Sequence, residues 1–159
     1  YSEPTLQVEP IKIIKIMNNS VETKKEEVRK NIENMFESAT KKIKDIISVC
    51  PDWEVEGIDL GYKSLIVHLN LKGVERDRDL VIRYQAKVGN FQEESFNTNV
   101  ACCGSFDLLD ANDNLKYYAA VGDILNHKDM LSLLKETMVY FTNKFIELRK
   151  EYDKLDKED

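Results

Sequence analysis

The C-terminal stretch LSLLKETMVYFTNKFIELRKEYDKL, residues 131–155, decides the fold of this chain. Its apolar residues recur at alternating spacings of three and four: Leu131, Leu134, Met138, Phe141, Phe145, Leu148, Tyr152 and Leu155. This rhythm predicts a helix with a continuous apolar stripe. Up to Ile146 further apolar residues widen the stripe, whereas beyond it only Leu148, Tyr152 and Leu155 remain. We call these three residues the C-terminal seam, and we predict a helix over residues 127–156.

The length of this helix indicates what its seam contacts. A sheet of about six strands, spaced at about 4.8 Å, is only some 25–30 Å wide. A helix of about 30 residues is roughly 45 Å long, so a helix crossing the strands must overhang the sheet. We expect the overhang to pack on another helix, either of the same chain or of a second chain. A partner-binding role is therefore predicted for Leu148, Tyr152 and Leu155.

A second long helix is predicted over residues 21–49. Its stripe is again spaced by three and four, and consists of Val28, Ile32, Met35, Ala39, Ile43 and Ile46, widened by Phe36 and Ile47. No Gly or Pro interrupts residues 21–49, and Pro51 is expected to stop the helix.

The rest of the chain has the two-residue period of strands. Residues 65–71 alternate most clearly, and the apolar phase shifts by one at Gly57, which predicts a β-bulge in residues 53–60. Residues 11–17, IKIIKIM, are rich in β-branched residues and are predicted as the first strand. The predicted architecture is α+β with the order β-α-β(5-6)-α, an antiparallel sheet of about six strands packed by two long helices. We expect one domain over 1–159, with residues 1–5 and 157–159 loose.

Composition and charge exclude some classes of function. The net charge is −6, and positive residues are interleaved with negative ones, so we expect no nucleic-acid binding. No apolar stretch is long enough to cross a bilayer, and no signal-peptide pattern stands at the start. The three cysteines, Cys50, Cys102 and Cys103, do not form a disulfide framework. We expect an acidic, cytoplasmic protein that does not bind a membrane.

No motif in the chain indicates catalysis. His68 lies opposite the apolar face of its predicted strand, and the sequence places no carboxylate or nucleophile beside it, so we expect a packing role. The spacings of zinc ligands, P-loops and nucleophile elbows are missing from the sequence. We therefore predict no catalytic residue, metal or cofactor. Arg76 and Arg78, in the charged segment GVERDRD, are candidate contacts for an acidic partner.

Three functional classes remain open, and the third, an enzyme whose site is assembled from scattered residues, is neither excluded nor favoured by any feature of the sequence. The first is a non-catalytic protein–protein interaction module, regulatory or inhibitory by occlusion, that binds a partner or a second copy through its helices. The second comes from the element order, which resembles that of helix-grip domains, although the chain lacks their pair of short helices. That resemblance implies a small apolar ligand held between the sheet and the final helix. The candidate pocket residues are Met130, Leu134, Met138, Phe141, Tyr84 and Phe106.

Overall fold

The computed structural model describes the backbone of residues 3–61, 63–72, 80–87, 93–100, 104–109 and 127–157. Helix α1 spans Glu3–Ile47 and is followed by strands β1 (Trp53–Leu60), β2 (Ser64–Leu71), β3 (Leu80–Gln85), β4 (Ser95–Val100) and β5 (Gly104–Asp107). Helix α2 spans Lys128–Asp156 and closes the described chain. The α+β class, the antiparallel sheet and the two long helices are confirmed.

Helix α1 corrects the first part of the predicted element order. Residues 11–17 belong to this helix and do not form a strand, so the chain does not begin with β-α. The preference of β-branched residues for strands over helices amounts to only a few tenths of a kcal/mol per residue. A helix nucleated over residues 21–47 extends at one hydrogen bond per residue added, and that gain outweighs so weak a preference. The spacing also fits, because Ile11, Ile14 and Val21 continue the stripe of Val28.

Helix α2 agrees with the prediction closely, since it begins one residue later than expected and ends at the expected Asp156. Its buried residues follow the predicted stripe: Met130, Leu131, Leu134, Thr137, Met138, Phe141, Thr142, Ile146 and Leu148. The stripe of α1 is likewise buried at Val28, Met35, Ala39, Ile43 and Ile46, whereas Phe36 remains 37% exposed and does not widen it.

The five described strands form an antiparallel meander in the order β1-β2-β3-β4-β5, with four strands of six to eight residues and a short fifth. The register of β1 on β2 shifts between Val55 and Gly57, which confirms the bulge predicted there. A sheet of about six strands is not confirmed, because the part of the chain that the structure describes contains five strands.

Both helices cover one face of the sheet. Alternate residues of the central strands, Leu65, Val67, Leu69, Leu80, Ile82 and Tyr84, are buried in a single core with the helix stripes. Helix α1 packs on α2 and β1, and α2 packs on α1, β2 and β3. The opposite face of the sheet has no described helix over it, and its residues are half-buried or exposed.

Adjacent leucines of α2 test this arrangement. Leu134 is fully buried in the core, whereas Leu133 is 46% exposed. We expect Leu134→Ala to lower the free energy of unfolding by about 2–5 kcal/mol, because it removes buried methyl groups and leaves a cavity. The matched control, Leu133→Ala, should change it by less than about 0.5 kcal/mol in urea denaturation. Equal losses in the two variants would contradict the orientation of α2.

Candidate functional site

The C-terminal seam packs against α1 of the same chain. Leu148 is buried, and Tyr152 and Leu155 are partly buried against the core. Arg29 of α1 donates a hydrogen bond of 2.7 Å from its Nη2 to the Tyr152 hydroxyl. The sequence predicts that the end of α2 overhangs the sheet and packs on a helix of the same chain or of a second chain. The structure shows the helix of the same chain, α1. The seam is therefore used within the domain, and its availability to a second protein stays a prediction.

The Tyr152 ring lies close to a guanidinium group from each helix. The Arg29 guanidinium lies 5.3 Å from the centre of the Tyr152 ring, and that of Arg149 lies 5.8 Å from it. Both distances fall within the range of cation–π attraction. The hydrogen bond to Tyr152, and then that to Glu26, raises the pKa of Arg29, which thus stays charged. Arg29 thus joins the two helices through the hydroxyl and the ring of Tyr152 where the apolar stripe becomes narrow.

Lys25 marks the level at which α2 ends. Its Nζ lies 3.0 Å from Oδ1 of Asp156, the last residue of α2, and 3.6 Å from Oε1 of Glu22. The hydrogen bond to Asp156 is the main cause that raises the pKa of Lys25. Because Lys25 meets Asp156 while Arg29 meets Tyr152, the two helices run antiparallel.

Helix α1 continues well beyond that level. Residues 3–24 precede Lys25 in the helix and extend about 33 Å along its axis. We call them the N-terminal projection. Its sequence carries Ile11, Ile13, Ile14, Ile16 and Met17. The structure thus provides a long helical segment, rich in apolar residues, to which α2 does not extend. Sequence reasoning missed it because residues 11–17 were assigned to a strand.

The residues proposed for an apolar ligand are mostly placed in the core. Met130, Leu134, Met138, Phe141 and Tyr84 are all buried there. The side chain of Phe106 and the whole of Arg76 and Arg78 lie outside the described part of the chain. Burial of the first five is equally expected of a filled core, so a ligand pocket stays a prediction.

A polar network lies at the edge of this core. The Tyr84 hydroxyl donates a 2.8 Å hydrogen bond to Oε2 of Glu94, and Oε1 of Glu94 lies 3.8 Å from Nζ of Lys135 on α2. Burial, and then the bond to Glu94, raises the pKa of the Tyr84 phenol. The network ties β3, the segment before β4 and α2 together. It gives a buried phenol the partner that its polar group requires.

The open face of the sheet holds a hydrogen-bonded His–Asp pair that the sequence did not predict. Nε2 of His68 lies 2.8 Å from Oδ2 of Asp59. The bulge at Gly57 and the β1–β2 register bring these residues, nine positions apart, onto neighbouring strands. An alignment of β1 with β2 that included the bulge would have placed Asp59 near His68 and so predicted the pair. Asp59 is 72% exposed in its side chain, so the pair lies in water, where its electrostatic effect is small.

A shallow groove of about 570 Å³ runs along α2. Its described lining is Ser132, Lys135, Glu136, Val139, Tyr140, Asn143, Lys144 and Glu147. Two lysines are balanced by two glutamates, so this wall has no net charge that would select an anion or a cation.

The remaining chemistry of the described residues is sparse. No three metal-ligating side chains converge within the parts of the chain that the structure describes. Among the same residues, no helix is both long and apolar enough to span a bilayer. No family model, curated protein or solved structure matches the chain. The features that stand out are therefore the helix pair and the N-terminal projection.

Two substitutions of Tyr152 separate the contributions of its ring and its hydroxyl. Tyr152→Phe removes the acceptor of the Arg29 bond and keeps the stacked ring, whereas Tyr152→Ala removes both. We expect the alanine variant to lose more stability than the phenylalanine variant, because ring area and cation–π contacts are lost together. Thermal unfolding followed by circular dichroism at 222 nm measures the difference. Equal losses would show that the ring adds nothing to the helix contact.

Tyr84 predicts a specific dependence of stability on alkaline pH. The raised pKa means that the unfolded chain releases the phenol proton first, at a pH of about 10. The stabilisation is therefore complete below that pH and is lost as the pH rises toward the folded-state pKa. The difference in unfolding free energy between the wild type and Tyr84→Phe should shrink above pH 10, by at most about 1.4 kcal/mol per pH unit.

The control for this experiment is Tyr140→Phe. Tyr140 is 62% exposed, so its phenol stays largely in contact with water in the folded chain. Urea denaturation between pH 8 and 11.5 should give a difference from the wild type that does not vary with pH. A constant difference for Tyr84→Phe as well would contradict the effect of burial on its phenol.

Proposed function

We propose that the chain is a non-catalytic protein–protein interaction module whose main docking element is the N-terminal projection. One observation carries this proposal: α2 ends opposite Lys25, whereas α1 continues to Glu3. The function is that of a small regulatory or inhibitory protein that acts by binding and covering a surface of its partner.

The physical support is the need of a long amphipathic helix for a surface on which to pack its apolar residues. Most helical stability in proteins comes from packing an apolar face, and isolated short helices are marginal. Burial of each Ile or Met side chain on a partner contributes about 1.5–3 kcal/mol. The apolar residues from Ile11 to Met17 therefore offer considerable binding free energy to a partner that supplies a matching groove or helix.

The mixed charges of the described helix surfaces suit the same role. Exposed pairs such as Arg29 with Glu26 and Arg149 with Asp153 keep these surfaces hydrated. Charged surfaces of mixed sign discourage unspecific association, so specific binding is left to the apolar segment. Arg76 and Arg78 remain a predicted second contact for an acidic partner.

Native mass spectrometry of the full chain, tagged and purified from its source cells, tests the proposal. We expect the wild type to carry a protein in stoichiometric amount, either a partner or further copies of itself. The double variant Ile11→Glu/Ile14→Glu should lose that protein, because it places two charges in the apolar segment. The control Lys12→Glu also adds negative charge, but at a position between the two isoleucines, and should retain the protein.

Circular dichroism and thermal unfolding of each variant would establish that the body remains folded. A wild type that is monomeric without any bound protein would refute the proposal. Retention of a lipid or another apolar small molecule without a protein would favour the ligand-binding alternative.

A further inference from the structure

A cleft lies at the C-terminal end of α1, where this helix meets the start of β1 and the end of β2. It measures about 320 Å³, and its described lining is Lys44, Ile47, Ser48, Trp53, Glu54, Val55 and Lys72. Sites that hold small ligands in proteins begin at about 300 Å³. The cleft is therefore large enough for a small ligand.

The indole of Trp53 supplies a hydrogen-bond donor that the described chain does not use. Trp53 is 3% exposed, and its Nε1 has no acceptor within the parts of the chain that the structure describes. Buried N–H groups in proteins are nearly always hydrogen-bonded, either to protein or to ordered water. A ligand oxygen at this nitrogen gains a hydrogen bond for which no described group competes.

The acceptors at this end of α1 are, by contrast, already in use. The carbonyl oxygen of Lys44 accepts a 3.0 Å bond from the Ser48 amide, and that of Ile47 accepts a 2.9 Å bond from the Cys50 amide. The Ser48 hydroxyl donates to the carbonyl oxygen of Asp45. These bonds reduce the partial negative charge of the helix end, which would otherwise repel an anion.

The charges of the lining favour an anion of single charge. Lys44 and Lys72 are exposed, and neither forms an ion pair with a described residue. With Glu54 the lining holds two positive charges and one negative charge, a net charge of +1 in a chain whose net charge is −6. One carboxylate neutralises this excess, whereas a phosphate group, with about two charges at pH 7, exceeds it.

The rest of the lining is apolar. Ile47, Val55 and the ring of Trp53 contribute hydrocarbon surface to the same cleft that holds the two lysines. A ligand that carries a short apolar group beside its carboxylate removes this surface from water on binding.

We propose that the cleft binds a carboxylate that bears a short apolar group, with Lys44 and Lys72 as its ionic partners and the Trp53 indole as a hydrogen-bond donor. Such a group occurs in a free aliphatic acid and at the C-terminus of a peptide that ends in an apolar residue. The inference goes beyond the proposed function, because the N-terminal projection takes no part in the site.

The indole itself provides the test. Trp53 is the only tryptophan of the chain, so its N–H gives a single indole signal in a ¹H–¹⁵N spectrum of the full chain. We expect hexanoate to move this signal downfield and saturably, because the indole proton acquires a hydrogen bond to the carboxylate. Hexan-1-ol, which has the same length and no charge, should give no saturable shift. An indole signal that ignores hexanoate, or that responds equally to the alcohol, would overturn the inference.

Inorganic phosphate is the second control ligand in the same titration. We expect it to bind more weakly than hexanoate, because it brings more negative charge than the lining neutralises and has no apolar group. Phosphate binding as tight as that of hexanoate would show that the cleft does not select a carboxylate.

Substitutions of exposed residues test the ionic partners without disturbing the core. Lys44→Ala and Lys72→Ala should each raise the dissociation constant for hexanoate about fivefold, because each removes an exposed ionic partner. Glu54→Gln should lower it about twofold, since it removes a charge of the same sign as the ligand. The control Lys41→Ala, on α1 but outside the cleft, should not change it. Wild-type constants in both lysine variants would contradict the proposed site.

Two peptides separate the sources of the carboxylate. A blocked tripeptide that ends in leucine is titrated with its C-terminus free and, as the matched control, amidated. Tighter binding of the free peptide than of hexanoate would identify a protein C-terminus as the ligand, and binding of hexanoate alone would identify a free acid. Equal binding of the free and amidated peptides would contradict recognition of a carboxylate.

The double variant Ile11→Glu/Ile14→Glu separates this inference from the proposed function. We expect it to bind hexanoate with the wild-type constant, because both substitutions lie in the N-terminal projection. Loss of the bound protein in this variant with hexanoate binding retained supports both proposals. Absence of hexanoate binding from the wild type overturns the cleft alone.

Discussion

The shared apolar stripe of α1 and α2 is the contact on which the rest of the structure depends. Neither helix has a hydrophobic face that the sheet alone could cover, because each is longer than the described sheet is wide. By packing on each other over β1, β2 and β3, the helices complete one core with the inner face of the strands. Where the stripe narrows beyond Ile146, the contacts of Tyr152 with Arg29 and of Asp156 with Lys25 maintain the helix pair.

The same contact explains which surfaces remain for other molecules. It occupies the C-terminal seam, which on sequence grounds was the first candidate for a partner. It ends at Lys25 and thereby leaves the N-terminal part of α1 without the helix that accompanies the rest. The chemistry of the open sheet face is limited to the exposed pair of Asp59 and His68, among the residues described there.

The sequence was sufficient for features that depend on local period. The bounds of α2, the buried stripe of α1 and the bulge at Gly57 all follow from spacing within one segment. The strand predicted over residues 11–17 was wrong, because β-branched composition was given more weight than the continuing helical spacing. The pairs Asp59–His68 and Tyr84–Glu94 depend on strand register and on the placement of a connecting segment, and neither can be read from the period of a single segment.

The bulge in β1 has a consequence for how copies of the chain can associate. Strand β1 lies at one edge of the described sheet, and its backbone groups on that side face away from β2. The irregular register at Gly57, together with the exposed carboxylates of Glu54, Glu56 and Asp59, makes this edge a poor template for a further strand. Growth of the sheet from molecule to molecule, the first step toward fibrils, is thereby hindered at this edge.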